Sequence, residues 1–295
     1  MKLLTFREGD VLKLGLRVDA GVIDVAAAAE ALGLQGVPTT IDAAIAGGDE
    51  GLRALNELTS RAAIAPAGEP WLRDEMGLRY GPCVPRPGKI VCIGLNYRKH
   101  ATETNAPIPE VPVVFSKFSN TIAANGESVP LPTVAHQYDY EVELGLAIGK
   151  RASHVSEEEA LGFVLGYFTA NDVSVRDLQS RTSQWLLGKT LDKFLPIGPW
   201  LVTADEVGNP QELRLRTWVN GEPRQDSSTG DMIFSVAQIV SYVSRYFALE
   251  PGDIIVTGTP EGVAMGRPDK PWLKPNDEVV VEVDRLGRLT NVMST

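Results

Sequence analysis

The chain has few cysteines and histidines, the residues whose disulfides and zinc sites stabilise many small domains. Its 295 residues include two cysteines, Cys83 and Cys92, and three histidines. Two cysteines make neither a disulfide framework nor a cysteine-rich zinc site. An ordinary hydrophobic core must hold the fold together, and a hydrophobic content of 43% is enough for one.

Long apolar runs and clusters of positive charge are also missing. No segment approaches the length of a membrane span, and the start MKLLTFREGD lacks the apolar core of a signal peptide. The formal net charge is −10, without any stretch rich in Lys or Arg. Phosphate backbones need clustered cations, so neither nucleic acid nor a membrane is an expected partner. We expect a cytoplasmic protein.

Composition divides the chain into two unequal parts. Residues 1–70 predict a small N-terminal α+β domain, in which short strands such as LKLGLRV precede helices such as TIDAAIAGG. Residues 71–88 are rich in Pro and Gly and predict a linker. Residues 89–295 are β-rich, with helical periodicity in SEEEALGF and MIFSVAQIVSYVSRYFAL. The predicted fold class is α+β with strands in the majority.

The stretch YDYEVELG, residues 138–145, places two glutamates one residue apart in an apolar run. In a strand Glu141 and Glu143 point to the same face, where like charges repel unless water or a cation separates them. An exposed edge strand would explain the pair, but the run continues into LAIG, which is typical of an interior. Two interpretations stay open: a solvated strand face and a cation site.

A third acid follows an apolar segment in YFTANDVSVRDLQ. Asp172 suits a helix N-cap, since NDVS is a good capping sequence. Alternatively, it joins Glu141 and Glu143 in a site made only of oxygen ligands. Such a site selects hard cations, here Mg²⁺ or Mn²⁺, with Ca²⁺ a further candidate in crystals. Three carboxylates leave coordination positions open for a substrate.

One histidine has a carboxylate at helical spacing. His100 and Glu103 lie three residues apart in NYRKHATETNAPIPEVP and would share one face of a helical turn. A carboxylate beside an imidazole orients it and raises its basicity, which suits a general base acting on water. The alternative is a surface ion pair. The proline-rich segment that follows ends the helix, so the turn would serve as a lid. His136 and His154 lack such partners and are expected on the surface.

Nine separated motifs resemble, in the same order, those of the fumarylacetoacetate hydrolase family. The resemblance covers about residues 88–295, and the N-terminal part is similar to an extra domain of some bacterial members. The motifs are IGLNYRKHATE, PVVFSKF, DYEVELGLAIGK, ANDVSVRDLQ, GKTLDKFLPIGPW, VNGEPRQ, DMIFSV, LEPGDIIVTGTPEGV and LKPNDEVVVEV.

This resemblance implies a fold, a cofactor and a set of site residues. The fold is a mixed β-sandwich or roll with peripheral helices, and family members often form homodimers. The implied cofactor is a divalent cation, usually Mg²⁺ or Mn²⁺, and the implied catalytic pair is carried on a lid. The implied metal ligands are Glu141, Glu143 and Asp172, the implied catalytic residues are His100, Glu103 and Lys189, and the implied substrate-binding residues are Arg176, Gln179 and Thr259.

These residues suit chemistry on a small-molecule 2-keto acid. The first hypothesis is a hydrolase of carbon–carbon bonds in 2,4-diketo acids of the acylpyruvate or fumarylpyruvate type, which releases pyruvate and a carboxylic acid. The alternatives are oxaloacetate decarboxylation, a carboxy-lyase reaction, and isomerisation or hydration of related dienoates, since all pass through a chelated 2-keto acid end. A non-catalytic metal-binding protein is the third hypothesis, against which an intact His100–Glu103 pair argues.

Overall fold

The computed structural model describes residues 1–65 and 68–295. Residues 66 and 67, which belong to the predicted N-terminal domain, lie outside the described residues. The strands are β1 (Lys2–Glu8), β2 (Val11–Val18), β3 (Gly21–Asp24), β4 (Leu72–Arg73), β5 (Tyr80–Gly81), β6 (Ile90–Gly94), β7 (Val113–Ser116), β8 (Ile122–Ala123), β9 (Val129–Pro130), β10 (Tyr138–Asp139), β11 (Val142–Ile148), β12 (Val164–Asn171), β13 (Ser174–Val175), β14 (Leu195–Thr203), β15 (Arg214–Val219), β16 (Glu222–Ser228), β17 (Ile254–Val256), β18 (Glu278–Val283) and β19 (Gly287–Ser294).

Short helices connect these strands. The α-helices are α1 (Val25–Ala31), α2 (Ile41–Ala46), α3 (Gly48–Ala62), α4 (Arg98–Glu103), α5 (Glu157–Ala160), α6 (Arg176–Gln179), α7 (Leu186–Lys189), α8 (Ala204–Val207) and α9 (Val236–Ser244), and single 3₁₀ turns lie at Glu75–Gly77, Ser119–Thr121, Leu161–Phe163 and Thr229–Asp231. Within the described ranges, none of the helices combines the length and the apolar character that crossing a lipid bilayer requires.

Two sheets dominate the described part of the chain. The larger has 12 strands in the order β4-β3-β2-β1-β14-β12-β11-β17-β6-β7, with β5 paired to β1 and β8 to β14. The smaller has five strands in the order β16-β15-β18-β19-β9. Most neighbours are antiparallel, whereas β17 and β6 are parallel. This mixed, strand-rich architecture with peripheral helices confirms the predicted fold class.

The N-terminal strands extend the sheet of the larger part. Strand β1 pairs with β14 through Lys2 opposite Val202 and Leu3 opposite Leu201. Strand β5, from the predicted linker, pairs with β1. Backbone hydrogen bonds therefore cross the predicted domain limits at residues 70 and 88. The division into 1–70, 71–88 and 89–295 stays a prediction.

Local sequence signals account for several element boundaries. Thr40 caps α2 by accepting a hydrogen bond from Ala43 N at 3.2 Å, and Ser156 caps α5 in the same way. Ser235 and Gln238 form a capping box at the start of α9. An Asn-Gly turn joins β15 to β16, as VNGEPRQ predicts.

The central strands of the large sheet are buried on both faces. Every residue of β11 and β12 is buried. Leu144 and Leu146 face one hydrophobic cluster, while Ala147 faces another. Since the strands run antiparallel, the start of β11 lies beside the end of β12. Polar side chains at these two ends emerge from a rigid, fully packed support.

Candidate metal centre and active site

Three carboxylates meet where β11 begins and β12 ends. Val142 pairs with Asn171, which places Glu141 and Glu143 next to Asp172. One oxygen of each carboxylate lies within 4.8 Å of the others, and all three side chains are buried. The burial contradicts the solvated-face interpretation of the two glutamates.

Asp172 does not act as a helix cap. The following helix, α6, has Val175 at its N-cap position and no side-chain cap. The Asp172 carboxylate instead accepts hydrogen bonds from two lysine side chains. The residue therefore belongs to the acidic cluster and not to the start of the helix.

The donor set suits a hard divalent cation. All three groups are carboxylates, which Mg²⁺ and Mn²⁺ prefer over softer ligands. Glu143 accepts a hydrogen bond from Gly258 N at 2.7 Å. Within the described residues, no cationic side chain lies within 4.0 Å of Glu143. A buried carboxylate without a cationic partner is costly, and a bound metal ion would remove that cost.

The electrostatic environments of the two glutamates differ. Burial raises the pKa of Glu143 well above its ordinary value, and the nearby Asp172 and Glu141 carboxylates act in the same direction. Burial acts likewise on Glu141, but Lys189 and Arg176 outweigh it and lower the pKa of Glu141 to about 2. Of the two glutamates, Glu143 is therefore the one whose charge depends more on a bound cation.

Two buried lysines neutralise the other acids. Lys117 donates to Asp172 Oδ1 and to a backbone carbonyl at 3.1 Å. Lys189 donates to Glu141 Oε2 at 2.7 Å, Asp172 Oδ2 at 2.8 Å and Ser174 Oγ at 2.6 Å, which engages all three of its N–H donors. Burial lowers the pKa of Lys117. For Lys189, Asp172 and Glu141 outweigh burial and raise the pKa.

Arg176 connects the cluster to a fourth buried acid. Its Nε donates to Asp139 Oδ2 at 2.9 Å, one Nη to Glu141 Oε1 at 2.5 Å, and the other Nη to Gln179 Oε1 at 2.8 Å. A guanidinium has five N–H donors, so two are left uncommitted by these contacts. Gln179 accepts through its carbonyl oxygen, and its NH₂ donates to no other protein atom in the described residues.

A buried glutamine, Gln225, is hydrogen-bonded to the side chain of Thr259. Gln225 Nε2 donates to Thr259 Oγ1 at 2.8 Å and to Pro260 O at 2.9 Å. Gln225 Oε1 accepts from Val142 N at 3.0 Å and so ties this loop to β11. Because Thr259 Oγ1 already accepts a hydrogen bond, its own hydroxyl proton is free to point at a ligand.

The histidine lies on α4, a six-residue helix that follows β6. The side chain of Asn96 fixes the start of the helix through Thr257 O at 2.8 Å and Phe234 O at 3.1 Å. His100 is buried, with 5% exposure, which contradicts a surface ion pair. His100 Nδ1 lies 3.8 Å from Glu103 Oε2, too far for a hydrogen bond. The two groups are neighbours without a direct hydrogen bond.

A cavity of about 520 Å³ gathers most of these groups. Glu103 and Asp172 lie behind its surface. The predicted residues that line it are His100, Glu141, Glu143, Arg176, Gln179, Lys189 and Thr259. Its apolar wall consists of Ile93, Leu95, Phe115, Trp185, Met265 and Trp272. The cavity combines an acidic cluster, uncommitted donors and an apolar end.

Four further polar residues of this site were not singled out from the sequence. Lys117 stands within the motif PVVFSKF, and Asp139 directly precedes the first tyrosine–glutamate pair, so motif position was the available signal. Ser174 and Gln225 look like ordinary strand residues. The exposed His136 and His154 lie outside the cavity lining, as expected.

The chain is similar in sequence to a known protein family and to individual named enzymes. The family profile described as fumarylacetoacetate (FAA) hydrolase C-terminal matches residues 89–294. A 2,4-didehydro-3-deoxy-L-rhamnonate hydrolase from Sphingomonas sp. (strain SKA58) is 48% identical over 211 residues, 71% of this chain and 74% of that protein. A mitochondrial oxaloacetate tautomerase from Rattus norvegicus is 44% identical over 209 residues, 70% of this chain and 67% of that protein.

Solved structures show the same fold. A fumarylacetoacetate hydrolase from psychrophilic Exiguobacterium antarcticum superimposes with a TM-score of 0.84 at 30% identity, covering 100% of this chain and 99% of that one. A fumarylpyruvate hydrolase from Pseudomonas aeruginosa has a TM-score of 0.65 at 35% identity, covering 73% and 91%. That hydrolase was solved in complex with Mn²⁺ and pyruvate.

Proposed function

This chain is an enzyme of the fumarylacetoacetate hydrolase family, and on that premise we propose that it cleaves a carbon–carbon bond of an acylpyruvate. The products would be pyruvate and a carboxylic acid. The observation that carries the proposal is the cavity, in which a buried acidic triad, a buried histidine and uncommitted donors lie together.

Glu141, Glu143 and Asp172 would hold Mg²⁺ or Mn²⁺. When bound, such an ion supplies Lewis-acid polarisation of substrate oxygens and stabilisation of developing negative charge. The three ligands lie on the packed ends of β11 and β12, which fixes their relative positions before any ligand arrives.

Three residues with uncommitted donors suit the carboxylate and keto oxygens of a pyruvoyl group. Arg176 offers two N–H groups, Gln179 its NH₂, and Thr259 its hydroxyl. A carboxylate prefers charge-assisted hydrogen bonds from arginine over neutral ones. Lys189 would reach a substrate oxygen only by giving up one of its three present partners, so Arg176 and Gln179 are the readier donors for a developing oxyanion.

His100 is the proposed general base. It would take a proton from water at Nε2, while Glu103 Oε2, 3.8 Å from Nδ1, stabilises the imidazolium that forms. The water oxygen bonds to the acyl carbon, and the bond between that carbon and C3 of the pyruvoyl group breaks, with its electron pair going to C3. The proton then returns from His100 to C3, which completes pyruvate.

A substrate panel tests this function. The purified protein, loaded with Mg²⁺ or Mn²⁺, is incubated with acetylpyruvate, fumarylpyruvate and oxaloacetate, and pyruvate, the carboxylic acid and CO₂ are measured. Equal amounts of pyruvate and carboxylic acid from a diketo acid are expected. Pyruvate and CO₂ from oxaloacetate alone would show that the hydrolase assignment is wrong.

Oxaloacetate chemistry is the second candidate, because the oxaloacetate tautomerase is 44% identical over most of this chain. Tautomerisation, decarboxylation and dienoate isomerisation use the same 2-keto acid end and need no attack by water. Tautomerisation and isomerisation still move a proton and could use His100, whereas decarboxylation of oxaloacetate needs no general base. Loss of diketo acid hydrolysis in His100→Ala, with oxaloacetate turnover kept, would assign the histidine to water activation.

One cation in the cavity lining supports a substrate with a charged far end. Lys270 lines the cavity, and its Nζ donates only to Met265 O within the described residues. Its position beside the apolar wall suits an acyl chain that ends in a second carboxylate. The fumarylpyruvate type of substrate has that feature, and the acetylpyruvate type does not.

Lys270→Gln is therefore expected to raise KM for fumarylpyruvate by up to about fivefold, since an exposed charged contact is worth at most about 1 kcal/mol. KM for acetylpyruvate should stay unchanged. Lys274→Gln is the matched control, because Lys274 is an exposed lysine of the same segment outside the cavity lining. Steady-state kinetics on both substrates give the comparison, and an equal change for both would remove Lys270 from substrate selection.

A homodimer is the proposed assembly. Strand β7 is an edge of the large sheet. Val114 of this strand lines one groove together with Phe118 and Phe247, and the three are 41%, 55% and 40% exposed. Apolar surface beside an open strand edge suits a second copy of the chain. Sedimentation velocity would report the oligomeric state.

A further inference from the structure

Asp139 is a buried carboxylate for which the proposed chemistry has no direct use. Its exposure is 0%. It accepts hydrogen bonds from Ala264 N at 2.7 Å, from Met265 N at 3.0 Å and from Arg176 Nε at 2.9 Å. The carboxylate thus joins the loop after β17 to the arginine beside the acidic triad.

The same loop is held at a second point by Glu103. Gly262 N donates to Glu103 Oε2 at 2.8 Å. At Gly266, a Cβ atom would overlap the Glu103 carboxylate, so a larger residue there must displace Glu103 or the loop. The segment 262–266 therefore lies between two carboxylates, with Asp139 against its middle and Glu103 against its two ends.

Glu103 depends on this segment for its place. Its Oε2 accepts from Gly262 N, and its buried Oε1 has no hydrogen-bond partner in the described residues. His100 Nδ1, which is also buried without a partner, lies 3.8 Å from Oε2. Since no hydrogen bond joins the two side chains, the direction of the Glu103 carboxylate is set by the loop amide.

We propose that Asp139 is a positioning residue for the His100–Glu103 pair and acts through the segment 262–266. Asp139 holds the amides of Ala264 and Met265, which aims the Gly262 amide at Glu103. The inference rests on the role proposed above for His100. Asp139 would have this role without touching substrate or metal.

Asp139→Asn tests the proposal with a side chain of the same shape. The amide presents an NH₂ where two or more donors now converge, so the loop loses part of its anchor. A misplacement near 1 Å costs up to about 10²-fold, and kcat for acylpyruvate hydrolysis is expected to fall by about 10- to 100-fold. Arg176 keeps its hydrogen bonds to Glu141 and Gln179, so KM and the affinity for Mn²⁺, measured by calorimetry, should change by less than about threefold.

Asp253→Asn is the matched control. Asp253 is also buried, accepts from Lys89 N and Glu250 N at 2.7 Å each, and pairs with Lys89 Nζ at 2.6 Å. Its loop does not line the cavity. This variant should lose stability and keep kcat. An unchanged kcat in Asp139→Asn would overturn the proposal. A parallel loss of Mn²⁺ affinity would also overturn it, because Asp139 would then act on Glu141 through Arg176.

Hydrogen–deuterium exchange tests the same idea without substrate. In Asp139→Asn, peptides that span residues 258–266 should exchange faster, and those that span 142–148 should not. Unchanged exchange at 258–266 would overturn the proposal whatever the substrate is. Faster exchange, together with a wild-type protein that turns over no 2-keto acid, would overturn the proposed function and leave the dependence of the loop on Asp139 intact.

Gly266→Ala disturbs the other end of the segment and covers the case in which Asp139→Asn does not fold. The added methyl group must displace Glu103 or the loop. The expected result is again a lower kcat with an unchanged Mn²⁺ affinity, because no hydrogen bond joins Gly266 to Arg176 in the described residues. A kcat within about twofold of wild type would contradict the proposed link between segment and base.

Discussion

His100→Ala is expected to lower kcat for acylpyruvate hydrolysis by about 10²–10⁴-fold, the usual contribution of a positioned general base. His100 is buried, lines the cavity and has an unpartnered Nδ1 near Glu103. Within the cavity lining it is the only imidazole among the described residues. No second imidazole is therefore available there to take the proton from water.

The same variant should bind Mn²⁺ as tightly as the wild type. Glu143 lies in β11, Glu141 directly before it and Asp172 directly after β12, whereas His100 lies on α4. No hydrogen bond joins the histidine to the triad in the described residues. Calorimetric titration with Mn²⁺ measures the affinity, and a coupled assay for pyruvate measures turnover. His154→Ala, at an exposed position outside the cavity, is the control. Retained hydrolysis in His100→Ala would exclude the proposed base.

Glu143→Gln is the second variant with a large expected effect. Removing one of three anionic ligands should weaken Mn²⁺ binding by at least about 100-fold, and hydrolysis should disappear, since Lewis-acid stabilisation is worth several kcal/mol. The introduced amide keeps a carbonyl oxygen that can accept from Gly258 N, which now donates to Glu143 at 2.7 Å. Loss of the metal should therefore not be caused by a collapsed loop.

Although Glu143→Gln should weaken metal binding, it should not destabilise the folded protein when no metal is present. Glu143 is buried, and no cation lies within 4.0 Å of it in the described residues, so an amide of the same size removes an unfavourable charge. Thermal melts in EDTA should give a Tm equal to or above that of the wild type. Glu141→Gln is the contrasting variant, because Glu141 is paired with Lys189 and Arg176 and its loss leaves buried cations uncompensated. A drop in Tm for Glu143→Gln as large as for Glu141→Gln would contradict this account.

The pH dependence in EDTA follows from the same carboxyl group. Its pKa is raised in the folded protein, so the folded state holds a proton that the unfolded chain has lost above its ordinary pKa of about 4.3. Stability should fall as pH rises from there through the folded pKa, by at most about 1.4 kcal/mol per pH unit for one proton. Denaturant titrations at several pH values should show this slope in the wild type and a smaller one in Glu143→Gln.

Local periodicity predicted one part of the acidic cluster, the shared face of the two glutamates, whereas the inclusion of Asp172 was implied by the family resemblance. The i, i+2 spacing of Glu141 and Glu143 requires a common face, and the apolar run after them required burial. The strands, the capped helices and the Asn-Gly hairpin were predictable for the same reason, since each depends on neighbours within a few residues. The family resemblance added the order of the motifs and is confirmed by the match over residues 89–294.

Contacts between distant residues could not be predicted from these patterns. Lys117 lies 55 positions from Asp172, and Gln225 lies 83 positions from the Val142 amide that it accepts from. No local rule says which lysine a buried carboxylate will meet. The missing hydrogen bond between His100 and Glu103 has the same origin, because a loop amide 159 positions away takes the Glu103 oxygen.

The fully buried pairing of β11 with β12 has a consequence for how the enzyme fails under stress. Backbone hydrogen bonds in such central strands break only when the whole domain unfolds, whereas a six-residue helix such as α4 unfolds locally. Mild denaturant should therefore remove turnover at concentrations where Mn²⁺ is still bound. An ion held by the triad would bind only the folded state, so raising its concentration should raise the global unfolding free energy and leave the local opening of α4 nearly unchanged.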